Sequence, residues 1–355
     1  LFKIGNQGTF ETLPDHAMAI YKGDTAAVEK FITEGMDLEQ EISLSKYIAL
    51  TPLDLALITN QQEVVKRLVE HGVNLNVKDK PSILKAVRYG GEEIIRYLHQ
   101  KGAKLNGLNK VKSSAYDEAY YGNKKNITVL NDLGLDIRKY GGKTIRKAVS
   151  DHDMKMVQYL LDEGVDINYN EPDMVYPYKA TPLTVAARSN NMKMVQFLVE
   201  QGSDVTLQEK DGERAYTIAI SQKNEEMAEY LKAHEPQKFH DLSNKLHALK
   251  SYRLPDALIH FLNEGPHRID LPDNPSGVGY IEFFQLVDTV EMKMGRQKLL
   301  RISSDVDQYS HLLIVWNPSK KMIGYADIEH QEHGTICSFE NFLDGPEVHL
   351  ESLLN

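Results

Sequence analysis

The chain has 355 residues, a formal net charge of −10, 41% hydrophobic and 26% charged residues. This is the balance of a folded globular protein rather than a disordered one. No stretch approaches the roughly 18 uninterrupted apolar residues of a membrane-spanning helix, so no membrane partner is expected. The charge is uneven: Leu254 to Asn355 holds 7 Lys and Arg against 16 Asp and Glu, the wrong sign for phosphate contacts. Direct nucleic-acid binding is therefore not expected, and a basic protein is the natural partner of that part.

Leu1 to Pro14 is a separate N-terminal segment with no basic region followed by an apolar core, so it reads as no secretory signal. The single cysteine, Cys337, allows neither an internal disulfide nor a multi-thiolate metal site. A reducing, cytoplasmic setting is expected from that. From Asp15 onward a small residue in an apolar stretch recurs with a Gly about sixteen positions later: Ala19 with Gly35, Ala56 with Gly72, Ala86 with Gly102, Ala119 with Gly134, Ala148 with Gly164, and Ala186 with Gly202. A seventh copy starts near Ala219 and passes through Tyr230 and Leu231 without its Gly.

One copy explains the period. Thr181, Pro182 and Leu183 open a helix, with Pro in the first turn where its missing donor is harmless. Val185, Ala186 and Ala187 are small enough for helices to approach closely, and Ser189, Asn190 and Asn191 make a polar turn. Met194, Val195, Phe197, Leu198 and Val199 give a second helix one apolar face. Gly202 supplies the left-handed C-terminal cap, after which Asp204 and Val205 lead into an extended finger.

These motifs resemble the ankyrin repeat family over 15–233. The resemblance implies an α-solenoid of about seven helix–turn–helix repeats with fingers, the first and last degenerate as capping repeats. Copies three, four and five lack Thr-Pro, having Ser82-Ile83-Leu84, Ser114-Ala115-Tyr116 and Lys143-Thr144-Ile145, and Asp54 and Thr184 replace the family's His. Weaker hydrogen bonding at these turns is expected. Two fingers are long, Glu39 to Leu50 with Tyr47, and Tyr169 to Lys179 with Tyr176 and Tyr178. Exposed Tyr suits a binding hot spot. By the ankyrin geometry, Arg88-Tyr89, Tyr120-Tyr121, Ser150-Asp151 and Arg188-Ser189 would face a concave side. The expected partner-binding residues here are Tyr47, Arg88, Tyr89, Tyr120, Tyr121, Tyr176, Tyr178 and Arg188.

Residues 234–253 read as a linker plus a helix capping the stack, and 254–355 as a smaller α+β domain. Ile281 to Val287 is a candidate strand, Leu312 to Trp316 with Met322 to Ile328 a β-hairpin, and Ser338 the N-cap of a final helix. The order Leu254-Pro255-Asp256-Ala257-Leu258, Phe261-Leu262, Ile302 with Asp305 and Asp307, Leu312 to Trp316, Gly324-Tyr325, and Ser338-Phe339 with Phe342-Leu343 resembles the SUKH superfamily. That superfamily includes a fungal cell-wall-assembly regulator and bacterial toxin-immunity proteins. The resemblance implies a monomeric immunity protein that binds and neutralises a basic toxin domain, of nuclease or deaminase class, through acidic residues such as Asp305, Asp307, Asp327 and Glu329. A general ankyrin scaffold without a toxin partner is the alternative.

Chemistry is not expected. Gly141-Gly142-Lys143-Thr144 imitates part of a phosphate loop but falls where a finger joins a helix. His330, Glu332 and His333 have the residue types of a zinc site but lie in a loop after a hairpin. No catalytic residue, cofactor or metal is assigned.

Overall fold

The computed structural model describes residues 1–272 and 277–354. They form two compact units, Leu1–Ala148 with Asp153–Asp166, and Val149–His152 with Ile167–Asn355. The division falls inside the repeats rather than at their end, so the last repeats belong to the same unit as the C-terminal domain.

In the first unit the expected helix pairs form: Asp15–Lys22 with Thr25–Thr33, Pro52–Ile58 with Gln62–Glu70, Ser82–Tyr89 with Glu92–Gln100, and Ala115–Tyr121 with Asn126–Asp132. The second helices bury one stripe, as in Val64, Val65 and Leu68, and leave Glu63, Arg67 and Glu70 outside. Each fully buried Leu contributes roughly 1.5–3 kcal/mol relative to exposure. Gly72 and Gly202 follow the second helices of their repeats at φ 86° and 93°, the left-handed conformation a side chain resists. The spacing of the glycines thus reports a helix terminator. The N-terminal segment is more ordered than its sequence suggests: β1 (Phe2–Ile4) pairs antiparallel with β2 (Gly8–Phe10), and Ile4 is buried. The first long finger carries a two-residue ladder, β3 (Ile42–Ser43) with β4 (Ala49–Leu50).

The expected loss of turn hydrogen bonding in copy four does not occur. Ser114 accepts from the Asp117 amide while the Asp117 carboxylate accepts from the Ser114 amide, a complete capping box. Thr144 Oγ1 donates to the same carboxylate at 2.7 Å. Copy three fits the expectation better, since Pro81 precedes its helix and no side chain caps it. Tyr116, standing where the motif has Leu, is fully buried and its hydroxyl lies 2.6 Å from both Asn131 Oδ1 and the Leu135 carbonyl. Replacing Tyr116 with Phe is expected to cost about 1–2 kcal/mol, read as a lowered urea midpoint at unchanged slope.

The second unit carries two further helix pairs, Pro182–Arg188 with Met192–Glu200 and Ala215–Ser221 with Glu225–His234, then the helices Leu242–Ala248 and Asp256–Glu264. Among the described residues eight strands follow: β5 (Arg268–Asp270), β6 (Tyr280–Phe283), β7 (Val290–Met294), β8 (Gln297–Arg301), β9 (Ser303–Val306), β10 (Leu312–Asn317), β11 (Met322–Asp327) and β12 (Glu332–Cys337). They build an antiparallel five-stranded sheet in the order β12-β11-β10-β8-β7 and a three-stranded sheet β5-β6-β9. The predicted hairpin is β10–β11, and Ser338 caps Phe339–Asp344 by accepting from the Asn341 amide. That helix is not the last, because Pro346–Leu354 follows it. The predicted strand at 281–287 is shorter than expected, since Leu286–Asp288 turns as a 3-10 helix.

One side of the five-stranded sheet packs Leu300, Ile314, Trp316 and Ile323 into a core with Tyr252, Phe261 and Phe342. Met292, Met294, Leu299, Leu313, Val315 and Ala326 form a second, smaller cluster. The 234–253 segment is fastened to this domain: Trp316 Nε1 donates to the Tyr252 carbonyl at 2.9 Å and Lys245 Nζ to the Thr289 carbonyl at 2.6 Å. Two buried polar contacts tie the last repeats to the sheet. Tyr216 donates to Asp288 at 3.0 Å, and Arg301 to Glu213 at 2.7 Å.

Candidate protein-binding surfaces

In the first unit the Arg88 guanidinium bonds Glu118 at 2.9 Å and lies 5.7 Å from the ring centres of both Tyr89 and Tyr121. Lys147 approaches the same Tyr121 ring from 5.9 Å. Tyr121 is 50% exposed, so a half-open ring flanked by two cations stands at the end of its helix, an arrangement suited to a polar protein contact. Its neighbour Tyr120 departs from expectation. It is 4% exposed, with Lys124 Nζ 4.1 Å from its ring centre, and presents no open surface. Tyr89 donates to Asn6 in the β1–β2 turn. Tyr47 is 86% exposed between β3 and β4.

In the second unit Asp173 accepts from the amides of Val175 and Tyr176 at 2.8 and 2.7 Å. The resulting turn projects Met174 and Val175, 78% and 66% exposed, two apolar residues more open than the tyrosines expected to carry binding on this finger. The Tyr176 and Tyr178 rings meet edge to face, and both are half-buried. Arg188 is not free for a partner as expected. It stacks on Tyr178 and donates to Glu209 at 2.6 Å and Glu213 at 3.2 Å. Arg301 holds the other Glu213 oxygen.

Glu209, Asp211 and Glu213 bring carboxylate oxygens within 4.8 Å of one another, the residue types that could hold a hard cation. Arg188 and Arg301 already supply positive charge at the two glutamates. Burial pushes the Glu209 carboxyl up to about 7 against the pull of Arg188. Burial also works to raise Glu213, but Arg301 and Arg188 outweigh it and hold that carboxyl below its ordinary value. Sequence gave no signal for this network, because Glu213 and Arg301 are 88 positions apart.

Beside the network is a cleft of about 700 Å³, with Met292, Met294 and Ile328 from the sheet domain and Tyr178, Arg188 and Lys210 from the repeats. It brings together Tyr178, Arg188 and Glu329, which sequence had placed on separate surfaces. The acidic residues expected to meet a basic partner are mostly engaged within the chain. Asp305 accepts from the Tyr280 hydroxyl at 2.9 Å, and Asp307 from the Gly279 amide at 2.9 Å. Asp327 accepts from the amides of Glu329 and His330 and from His330 Nδ1. These aspartates brace turns and a strand edge, and Glu329 alone of the four is exposed. Among the described residues, Glu340, Asp344 and Glu347 are exposed without a bonded partner. They lie on the last two helices with Leu343 and Val348, 38% and 62% exposed.

His330, in the β11–β12 turn, is bonded to Asp327, while Glu332 and His333 lie on β12. Cys337 Sγ lies 3.4 Å from His349 Nε2, a pair sequence could not reveal. That nitrogen also lies 3.2 Å from the Asn341 carbonyl. Burial raises the thiol, which opposes thiolate formation.

Tandem helix pairs, all but the last closed by a left-handed glycine and joined by fingers, define an ankyrin-type repeat protein. The model of the family described as ankyrin repeats (3 copies) matches residues 16–109 and 145–241. The chain belongs to the ankyrin repeat family, and as such is a protein-binding module. It is also similar in structure to the human ASB11 ankyrin repeat domain, at 19% identity and TM-score 0.48, over 63% of this chain and 98% of that one. No curated protein matches this chain.

Proposed function

We propose that this chain is a non-catalytic immunity protein that neutralises a cognate basic toxin domain, of nuclease or deaminase class, by direct binding. The observation that carries the proposal is the acidic and apolar surface of the last two helices, Glu340, Asp344 and Glu347 around Leu343 and Val348. Unpaired carboxylates at the rim speed encounter with a basic surface, and the apolar pair gives it area to bury. Steric block requires no reactive group. The order of residues that resembles SUKH proteins supports the same reading, and the repeats add a second protein-binding surface whose linkage raises avidity.

The test is calorimetry with the polypeptide encoded beside this gene. The triple variant Glu340→Lys, Asp344→Lys, Glu347→Lys is expected to weaken binding by about 100-fold, as for several rim charges reversed together. Unchanged affinity in the variant, or no binding to the neighbour's product, sinks the proposal. A general scaffold is the second reading, favoured by the exposed Tyr47 and Tyr121, and it predicts several weak partners lost on Tyr121→Ala.

A further inference from the structure

The outer edge of β7 combines features that point to a second, chemically different ligand. β7 closes one side of the five-stranded sheet and, among the described residues, pairs with β8 alone. Gly295, at φ 58°, is the first residue of the two-residue turn joining β7 to β8, which marks a type II′ hairpin. Met294 and Gln297, flanking the turn, therefore exchange backbone hydrogen bonds. Because antiparallel pairs alternate, Lys293 and Glu291 turn their N–H and C=O groups away from β8. Glu291 is already covered: a Cβ on Gly212 would lie 2.1 Å from its carbonyl oxygen, so the 209–213 finger abuts the strand there. The Lys293 end remains beside the cleft.

The two faces of this edge differ in chemistry. On one, Met292 and Met294 point into the apolar floor of the cleft. On the other, Lys293 stands directly opposite Lys298, a like-charge pair that destabilises a ladder unless a counter-charge joins it. Lys298 is tied to Ser251 Oγ at 2.9 Å and stacks on Tyr252. Neither Lys293 nor Lys210, which faces the edge from the finger, has an ion-pair partner among the described residues. Of the two, Lys293 belongs to the 254–355 stretch, where acidic residues outnumber basic ones 16 to 7.

We propose that the cleft beside Lys293 receives an extended acidic segment of a partner polypeptide, which adds to β7 as a short outer strand. Its alternate side chains would be apolar towards Met292 and Met294 and carboxylates towards Lys293, Lys298 and Lys210. Strand addition takes affinity from the backbone and specificity from alternate side chains. This site has the opposite charge preference to the acidic helices and does not depend on them.

The test is fluorescence anisotropy of the full chain with a labelled peptide of about seven residues alternating Glu and Val, a span matched to a short strand. Its controls are the same peptide with Lys in place of Glu, and two versions N-methylated on one or the other set of alternate residues. Saturable one-to-one binding of the Glu peptide only is expected. Lys293→Glu should weaken it about ten-fold, as for one charge-assisted contact, and one methylated version should fail while the other binds. Lys293 is exposed, so the variant is expected to keep the fold, checked by its melting curve. Equal binding of the Lys peptide, indifference to Lys293→Glu, equal tolerance of both methylation patterns, or no saturable binding overturns the proposal.

Discussion

Arg301→Met is expected to lower the stability of the second unit by about 3–5 kcal/mol, the usual result of removing one partner from a buried ion pair. Arg301 and Glu213 are 8% and 5% exposed. Without the guanidinium, one Glu213 oxygen loses its 2.7 Å partner, and the carboxylate keeps only the 3.2 Å contact of Arg188 on its other oxygen. Arg301 also donates from Nε to the Ser303 carbonyl and from Nη2 to the Ser304 carbonyl, at 2.9 and 3.0 Å, so acceptors near β9 are orphaned as well. Urea unfolding followed by the fluorescence of Trp316, the only tryptophan and buried in this unit's core, reads the effect directly. Pairing the change with Glu213→Leu should restore most of the loss, because no unpaired charge then stays buried. An Arg301→Met midpoint equal to the parent's would mean the pair contributes nothing to holding the last repeats on the sheet.

The second large effect is a pH dependence set by Glu209. Burial raises its carboxyl to about 7 from an ordinary 4.5. Arg188 counteracts only in part, since Glu213 draws on the same guanidinium and Glu209 Oε1 has no hydrogen-bond partner. A raised acid binds its proton more tightly in the folded chain than in the unfolded one. Its contribution is therefore fully present below pH 4.5 and is lost as pH rises through 7. The difference in unfolding free energy between the parent and Glu209→Gln should fall by about 3 kcal/mol across that window. The comparison with Glu209→Gln removes the background from the other carboxylates. A difference that is flat with pH would show that Arg188 keeps Glu209 ionised throughout.

The network behind both predictions was invisible in the sequence, whereas much of what surrounds it was not. Helix pairs were legible because their signals are local: an apolar stripe such as Val64, Val65 and Leu68, a Thr or Ser opening the first helix, a glycine closing the second. The β10–β11 hairpin and the Ser338 cap are likewise decided within a few residues. Surface assignments fared differently. Tyr120 and Tyr121 are adjacent and chemically identical, yet one is buried and the other half-open, because helix rotation against the neighbouring repeat sets exposure. Asp305, Asp307 and Asp327 look like free acidic groups in a charge count. Each is consumed by an amide or hydroxyl that only folding brings to it.

Arg188 makes the point most plainly. By position it was a residue for an outside partner, and its charge is instead answered by Glu209 and Glu213 from the next finger. The repeat period, the pairing of helices and the strand-rich character and acidity of 254–355 are legible in the sequence residue by residue, because propensity, capping and patterning act over a few positions. The tertiary structure alone decided which charges remain unpaired. It set Arg301 against Glu213 across 88 positions, left Lys293 facing Lys298, and opened the cleft beside them. Electrostatic pairing depends on distance in space, and that distance is fixed only when the layers pack.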